Sequence, residues 1–224
     1  MLCRMCGRIG LTEITWRKLV AILRAEVSPE PEQLFRPRYN LAPTQGAWIC
    51  RQLADGRKLV PATWGFPSHA GHVIINARAE TASSAKSFKK AFAERRCLVP
   101  ASGFYEWSRD ASHQPYWFTS SNGDDLLLLA GLFREGPAGL QFVVVTTAAN
   151  GAMRPIHHRM PVVLSSADAD AWLEMADESL LRPAPDSALR FHPVSRKVNS
   201  VGVDGPECLA EATPPRQLRL RLDG

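Results

Sequence analysis

No stretch of the sequence carries the roughly 18 consecutive apolar residues that a helix needs to cross a bilayer, so no membrane span is expected. The N-terminus also lacks an apolar core of the secretory type, and no signal peptide is expected. Cysteine is scarce and odd in number: Cys3, Cys6, Cys50, Cys97 and Cys208. Five scattered thiols without a secretory signal read as reduced, which points to a cytoplasmic protein rather than a disulfide scaffold. Cys3-x-x-Cys6 has the spacing of a zinc or redox pair. No second Cys or His pair answers it, so neither a metal nor another cofactor is expected. A strong charge of one sign is missing too. Lys and Arg number 27 against 22 Asp and Glu, a formal net charge of +5. That balance permits a nucleic-acid partner without demanding one. Repeats, low-complexity linkers and a clear domain boundary are all absent.

What is present is an ordinary globular composition, 45% hydrophobic and 22% charged over 224 residues. A chain of this size buries about 70% of its unfolded surface. Trp16, Leu19, Val20 and Leu23 fall at helical spacing and predict a helix over residues 15–26, ended by Pro29 and Pro31. Asp55-Gly56 is a turn signal between strands at 47–53 and 59–64. A short strand at Val73–Ile75 leads into Asn76. A second helix is expected over 82–95, with Phe88 and Phe92 on one face and Lys86, Lys89 and Lys90 on solvated ones. Further strands are expected at 97–101, 116–119, 126–132, 142–147, 162–164 and 191–194, and a loop at 148–161. A third helix over 167–176 would be capped by Ser165 or Ser166. The pattern predicts an α+β protein: a single domain over 5–205 with a mostly antiparallel, barrel-like β-sheet core and about three inserted helices. Residues 206–224, rich in Pro, Arg and Glu, are expected to form a loose tail.

Four polar residues are delivered by or beside apolar segments. Asn76 follows Val73–Ile75, Glu106 sits between Tyr105 and Trp107, His157 precedes the strand at 162, and Cys6 stands at the start. A carboxylate flanked by aromatics is desolvated, which raises its pKa toward neutrality and suits it to proton transfer. A surface position or an arginine partner is the competing reading for Glu106. Adjacent histidines on an extended segment point opposite ways, so at most one of His157 and His158 faces any given site. Cys6 follows a methionine. If Met5 is the true start and is removed, Cys6 carries a free α-amine beside its thiol. Such a 1,2-aminothiol condenses with an aldehyde to an imine and closes to a thiazolidine. The expectation is a mature chain beginning at Cys6.

Seven motifs, in order over roughly residues 5–200, resemble the SOS-response-associated peptidase (SRAP) family. They are Met5-Cys6-Gly7-Arg8, Arg38 to Pro43, Trp64-Gly65, Ile75 to Thr81, Gly103 to Trp107, Ile156 to Pro161 and His192 to Ser195. The resemblance implies covalent attachment of the mature N-terminal cysteine to abasic sites in single-stranded DNA. It also implies autocatalytic removal of the initiator methionine. Carried over by position, Cys6 is the nucleophile, Asn76 orients it, and Glu106 and His157 move protons. Arg8, Arg78 and Arg159 are the expected phosphate partners, with Asn40, Trp64 and Trp107 lining the groove. Core packing is the competing reading for both tryptophans. The expected partner is single-stranded DNA containing abasic sites, met by a monomer that joins the nucleoid when DNA is damaged. A cysteine peptidase acting on proteins, or a non-covalent single-stranded-DNA-binding module, are the alternatives.

Overall fold

A computed structural model describes residues 6–26, 29–68, 70–124 and 126–212. The strands run in chain order β1 Ile9–Leu11, β2 Arg38–Leu41, β3 Gly46–Leu53, β4 Gly56–Trp64, β5 Phe66–Pro67, β6 Val73–Ile74, β7 Asn76–Arg78 and β8 Arg96–Ala101. They continue as β9 Gly103–Trp107, β10 Pro115–Ser120, β11 Leu127–Gly136, β12 Gly139–Ala148, β13 Arg159–Pro161, β14 Val163–Leu164 and β15 Leu189–Pro193. The helices are α1 Trp16–Leu23, α2 Pro29–Leu34, α3 Lys89–Glu94 and α4 Ser166–Glu174.

Strands β4, β3, β8, β11 and β12 close into a five-stranded barrel, because β12 pairs with both β11 and β4. Only the β12–β4 seam of this ring is parallel. Short strands extend the barrel: β7 runs parallel to the end of β12, and β13 pairs with the same end antiparallel. Closure leaves few free edges to pair with other chains. The expected hairpin forms, with Gly56 at a positive φ that a side chain would disfavour. Beside the barrel lies a second sheet in the order β15-β10-β9-β1-β2. The chain passes from barrel to second sheet at Ser102, between β8 and β9. Gly103 is required there, since a Cβ would meet the Phe118 carbonyl oxygen at 2.4 Å and the Trp117 ring at 2.5 Å.

The helices cover the barrel. Thr15 caps α1 by accepting from the Lys18 N–H, and Trp16, Leu19, Val20 and Leu23 are buried, as the spacing predicts. Two boundaries differ. Helix α1 stops at Leu23, where Arg24 turns left-handed, and Pro29 opens a further helix instead of ending the first. Proline is tolerated at a helix start because its missing N–H is unpaired there anyway. The helix expected over 82–95 shrinks to α3. Thr81, Ser83 and Ser84 favour turns over helix interior, and Phe88 has a non-helical backbone while burying its ring beside Phe92. Ser165 caps α4, which buries Trp172.

The expected tail is ordered further than residue 205. Residues Pro206–Cys208 form a short 3-10 turn, the Ser195 N–H donates to the Ala210 carbonyl, and the Ala212 N–H donates to that of Pro193. Cys208 is buried in a small cluster with Tyr105, Trp117, Val194 and Val198. Residues 213–224 lie outside the described part, as do Cys3 and the rest of residues 1–5.

Candidate functional site

Pairing of β1 with β9 brings Cys6 to Glu106. The Tyr105 N–H donates to the Arg8 carbonyl, and two residues upstream the Cys6 backbone nitrogen donates to Glu106 Oε2 at 2.9 Å. Glu106 and Cys6 are both fully buried. Burial pushes the Glu106 carboxyl up to about 7, against the pull of N–H donation from Cys6 and Trp107. Burial, and then the nearby Glu106 charge, push the Cys6 thiol well above its ordinary range. Register sets Tyr116 opposite Glu106 on the same face. The Tyr116 hydroxyl is buried without a hydrogen-bond partner among the described residues. Tyr105 and Trp117 point to the other face, where their rings pack 4.5 Å apart. Cys6 itself adopts φ 45°, a left-handed conformation that a cysteine adopts only under constraint.

His157 and His158 stand in the loop entering β13. His157 is buried and His158 exposed, so the two differ in access as expected. Their rings nevertheless meet, 4.4 Å apart and tilted by 33°, because this loop is not an extended strand. The Arg159 N–H donates to His157 Nδ1 at 3.2 Å. The Arg159 carbonyl stands 3.4 Å from the same nitrogen, so Nδ1 meets both a donor and an acceptor of Arg159. Burial, then the neighbouring His158, lower the His157 pKa to about 4. Asn76 begins β7, its backbone in register with Val144 of β12. Arg78 and Arg159 flank the same end of β12, opposite Thr146 and Ala148 respectively. Arg78 is exposed. Arg159 forks onto both oxygens of Glu80 and also donates to the Thr146 carbonyl.

Three expected surface residues are placed otherwise. Trp64 is fully buried, stacks on Phe142 and donates its Nε1–H to the Ile75 carbonyl, so its face is closed to bases. Asn40 is also fully buried. Its Nδ2 donates to the carbonyls of Val198, Ser200 and Val203, and its Oδ1 accepts from Arg8. Arg8 spends its guanidinium on Asn40 and the Val198 carbonyl, 2.6 and 2.5 Å away, and stands over the Trp107 ring. These two residues clip the 198–203 segment onto β2 instead of facing a groove. Trp107 stays half-exposed, tied by Nε1 to Asn199.

The sequence profile of the family described as SOS response associated peptidase (SRAP) matches residues 5–201. The chain belongs to the SRAP family. The abasic site processing protein YoqW of Bacillus subtilis is 33% identical over 197 residues, spanning 80% of this chain and 88% of its own. YedK of Escherichia coli, of the same description, is 28% identical across 92% of this chain and 99% of its own. The abasic site processing protein HMCES of Gallus gallus is 32% identical across 96% and 81%. Among solved structures, a phage-related protein of Bordetella bronchiseptica superposes with a TM-score of 0.71 at 30% identity, covering 85% of this chain and 95% of its own. A Bacteroides thetaiotaomicron protein with 19% identity and a TM-score of 0.69 shares the fold across 94% of this chain.

Within this SRAP fold, two residues near the site escaped the sequence reading. Tyr116 was an ordinary strand aromatic until register placed it against Glu106. Arg109 lies two residues beyond Trp107, and its Nη1 approaches His158 Nδ1 at 3.4 Å. Strand register brings Tyr116 there and the course of the chain after β9 brings Arg109, so no local pattern marked either. Among the described residues, no cluster of three metal-ligating side chains occurs, and no helix is long and apolar enough to cross a membrane.

Proposed function

We propose that this protein processes abasic sites, attaching itself to single-stranded DNA through a thiazolidine formed by Cys6 once that residue is the N-terminus. One observation carries the reading: the Cys6 nitrogen is held at 2.9 Å by a buried carboxylate, Glu106 Oε2. In a chain that starts at Cys6 this nitrogen is the α-amine, with a pKa of about 7.7–8.0. Glu106, poised at about 7, takes a proton from the ammonium and leaves the amine nucleophilic.

The steps balance without a cofactor. Water adds across the Met5–Cys6 peptide bond, releasing the leader's carboxylate and freeing the amine. Breaking that bond removes the torsion that holds Cys6 at φ 45°. The abasic sugar is mostly a closed hemiacetal; as it opens, neutral His157 takes the proton of the anomeric hydroxyl and returns it to the ring oxygen, which leaves the aldehyde. The amine adds to the aldehyde carbon, and water leaves as the imine forms. The Cys6 sulfur then bonds to that carbon while the thiol proton reaches the nitrogen through Glu106. Asn76, with a donor and an acceptor, fixes the cysteine. Arg78 and Arg159 hold phosphates on either side of the β12 end, and Trp107 offers a ring for stacking. The linked lesion is sheltered from strand cleavage.

A single-stranded oligonucleotide carrying one abasic site tests this. The wild-type protein is expected to give a slow band on a denaturing gel that Cys6→Ala abolishes. A wild-type protein that gives no such band, or a Cys6→Ala protein that keeps it, refutes the reading.

A further inference from the structure

The rim beside His157 carries a pair of side chains to which the mechanism above gives no role. His158 is exposed, and its Nδ1 faces Arg109 Nη1 at 3.4 Å. Arg109 is also exposed and follows β9, the strand of Glu106. Two groups that are both cationic when protonated do not approach each other without an anion or a lost proton. In the free protein the proton is lost: His158 accepts from Arg109, and burial followed by Arg109, Arg159 and Arg78 holds its pKa below the ordinary value. The surrounding charges are few and one-sided. His157 packs on it from its own loop, Arg109 faces it from the end of β9, Arg78 from β7 and Arg159 from β13. Of the carboxylates near this rim, Glu80 is already bound to Arg159, and Asp110, which follows Arg109, accepts from Ser108 and Ser112. A phosphodiester has the charge and the acceptor geometry that this set lacks.

We infer that Arg109 and His158 form a two-residue clamp for one backbone phosphate of the single-stranded DNA, and that filling the clamp loads a proton onto His158. Arg109 turns its N–H groups from His158 Nδ1 to one phosphate oxygen. The Nδ1 so released takes a proton from solvent and donates it in a hydrogen bond to a second oxygen. The stacked His157 ring stays neutral, because it is buried beside the new cation. The clamp places the strand beside the His157 imidazole that opens the sugar. It rests on the DNA-processing reading, but it concerns binding and not the covalent step.

Fluorescence anisotropy with an undamaged single-stranded oligonucleotide tests it in wild-type, Arg109→Gln and His158→Gln proteins. Both side chains are exposed, and circular dichroism checks that the variants fold. Arg109→Gln is expected to weaken binding about tenfold and to lower the salt slope by roughly one. Wild-type affinity is expected to tighten between pH 8 and pH 6, up to about tenfold for a one-unit rise in the His158 pKa on binding. His158→Gln should lose this tightening and keep only the share that protonation of buried Glu106 supplies. Cross-linking to an abasic oligonucleotide should show the Arg109→Gln defect mainly in the DNA concentration for half-maximal rate. Variants that match the wild type in affinity, salt slope and pH profile overturn the clamp while leaving cross-linking intact. A wild type that binds undamaged DNA in this way yet forms no covalent band overturns the proposed function and spares the clamp. A wild type that does not bind single-stranded DNA overturns both.

Discussion

At the scale of single residues, the site sets two buried titrating groups in opposition. Glu106 has a raised pKa, so the native state holds its proton more tightly than the unfolded state does. The stability this gives is present below about pH 4.5 and is lost as pH rises through about 7. His157 is depressed to about 4, so its contribution is present above about pH 6.5 and is lost as pH falls toward 4. Between pH 8 and pH 5 the two nearly cancel. Wild-type stability in urea unfolding should then carry only the smaller loss on acidification that His158 and His192, both lowered first by burial, contribute. Glu106→Gln should lose on the order of 2 kcal/mol on acidification from pH 8 to pH 5, and His157→Gln should gain a similar amount. Parallel pH curves for all three proteins would show that neither group is perturbed by folding. Under the proposed function, Glu106→Gln removes the base beside the amine, and single-turnover cross-linking should slow about a hundredfold or more.

The residue types at the site were legible in the sequence, and their states were not. Cys6, Asn76, Glu106 and His157 stood out by type and by flanking residues. Whether Glu106 is an exposed strand residue or a buried acid depends on β1, β9 and β10 lying side by side, which no local pattern encodes. Trp64 and Asn40 were misplaced for the same reason. An indole or an amide in a motif looks alike whether it faces a strand of DNA or the protein's interior.

At the scale of elements, local chemistry was readable and long-range pairing was not. Asp55-Gly56 announced its hairpin, and Ser165 or Ser166 announced a helix start. The crossing from barrel to second sheet at Ser102–Gly103 left only a glycine as its sign. Gly103→Ala would drive a Cβ into the Phe118 carbonyl and the Trp117 ring, and should destabilise the fold by about 3 kcal/mol through forced displacement of β9. A midpoint unchanged in urea would show that β10 gives way freely. The Asn40 clip makes a second test. Asn40→Ala strips donors from three carbonyls and the acceptor from Arg8, and should cost about 2–4 kcal/mol in urea unfolding. A loss below about half a kcal/mol, the scale of an ordinary surface substitution, would mean that the 198–203 segment does not depend on it.

At the scale of the whole molecule, the barrel and the second sheet divide the work. The barrel end at β12 carries Arg78 and Arg159, and the loop entering β13 carries His157 and His158. The second sheet carries Glu106 and, through β1, holds Cys6. Neither sheet alone makes the site. Under the proposed function, the nitrogen beside Glu106 acts as a free α-amine. Intact mass spectrometry of the product formed with an abasic oligonucleotide tests this most directly. The expected mass is the chain from Cys6 to Gly224 plus the oligonucleotide, less one water. An adduct that retains residues 1–5 would contradict it.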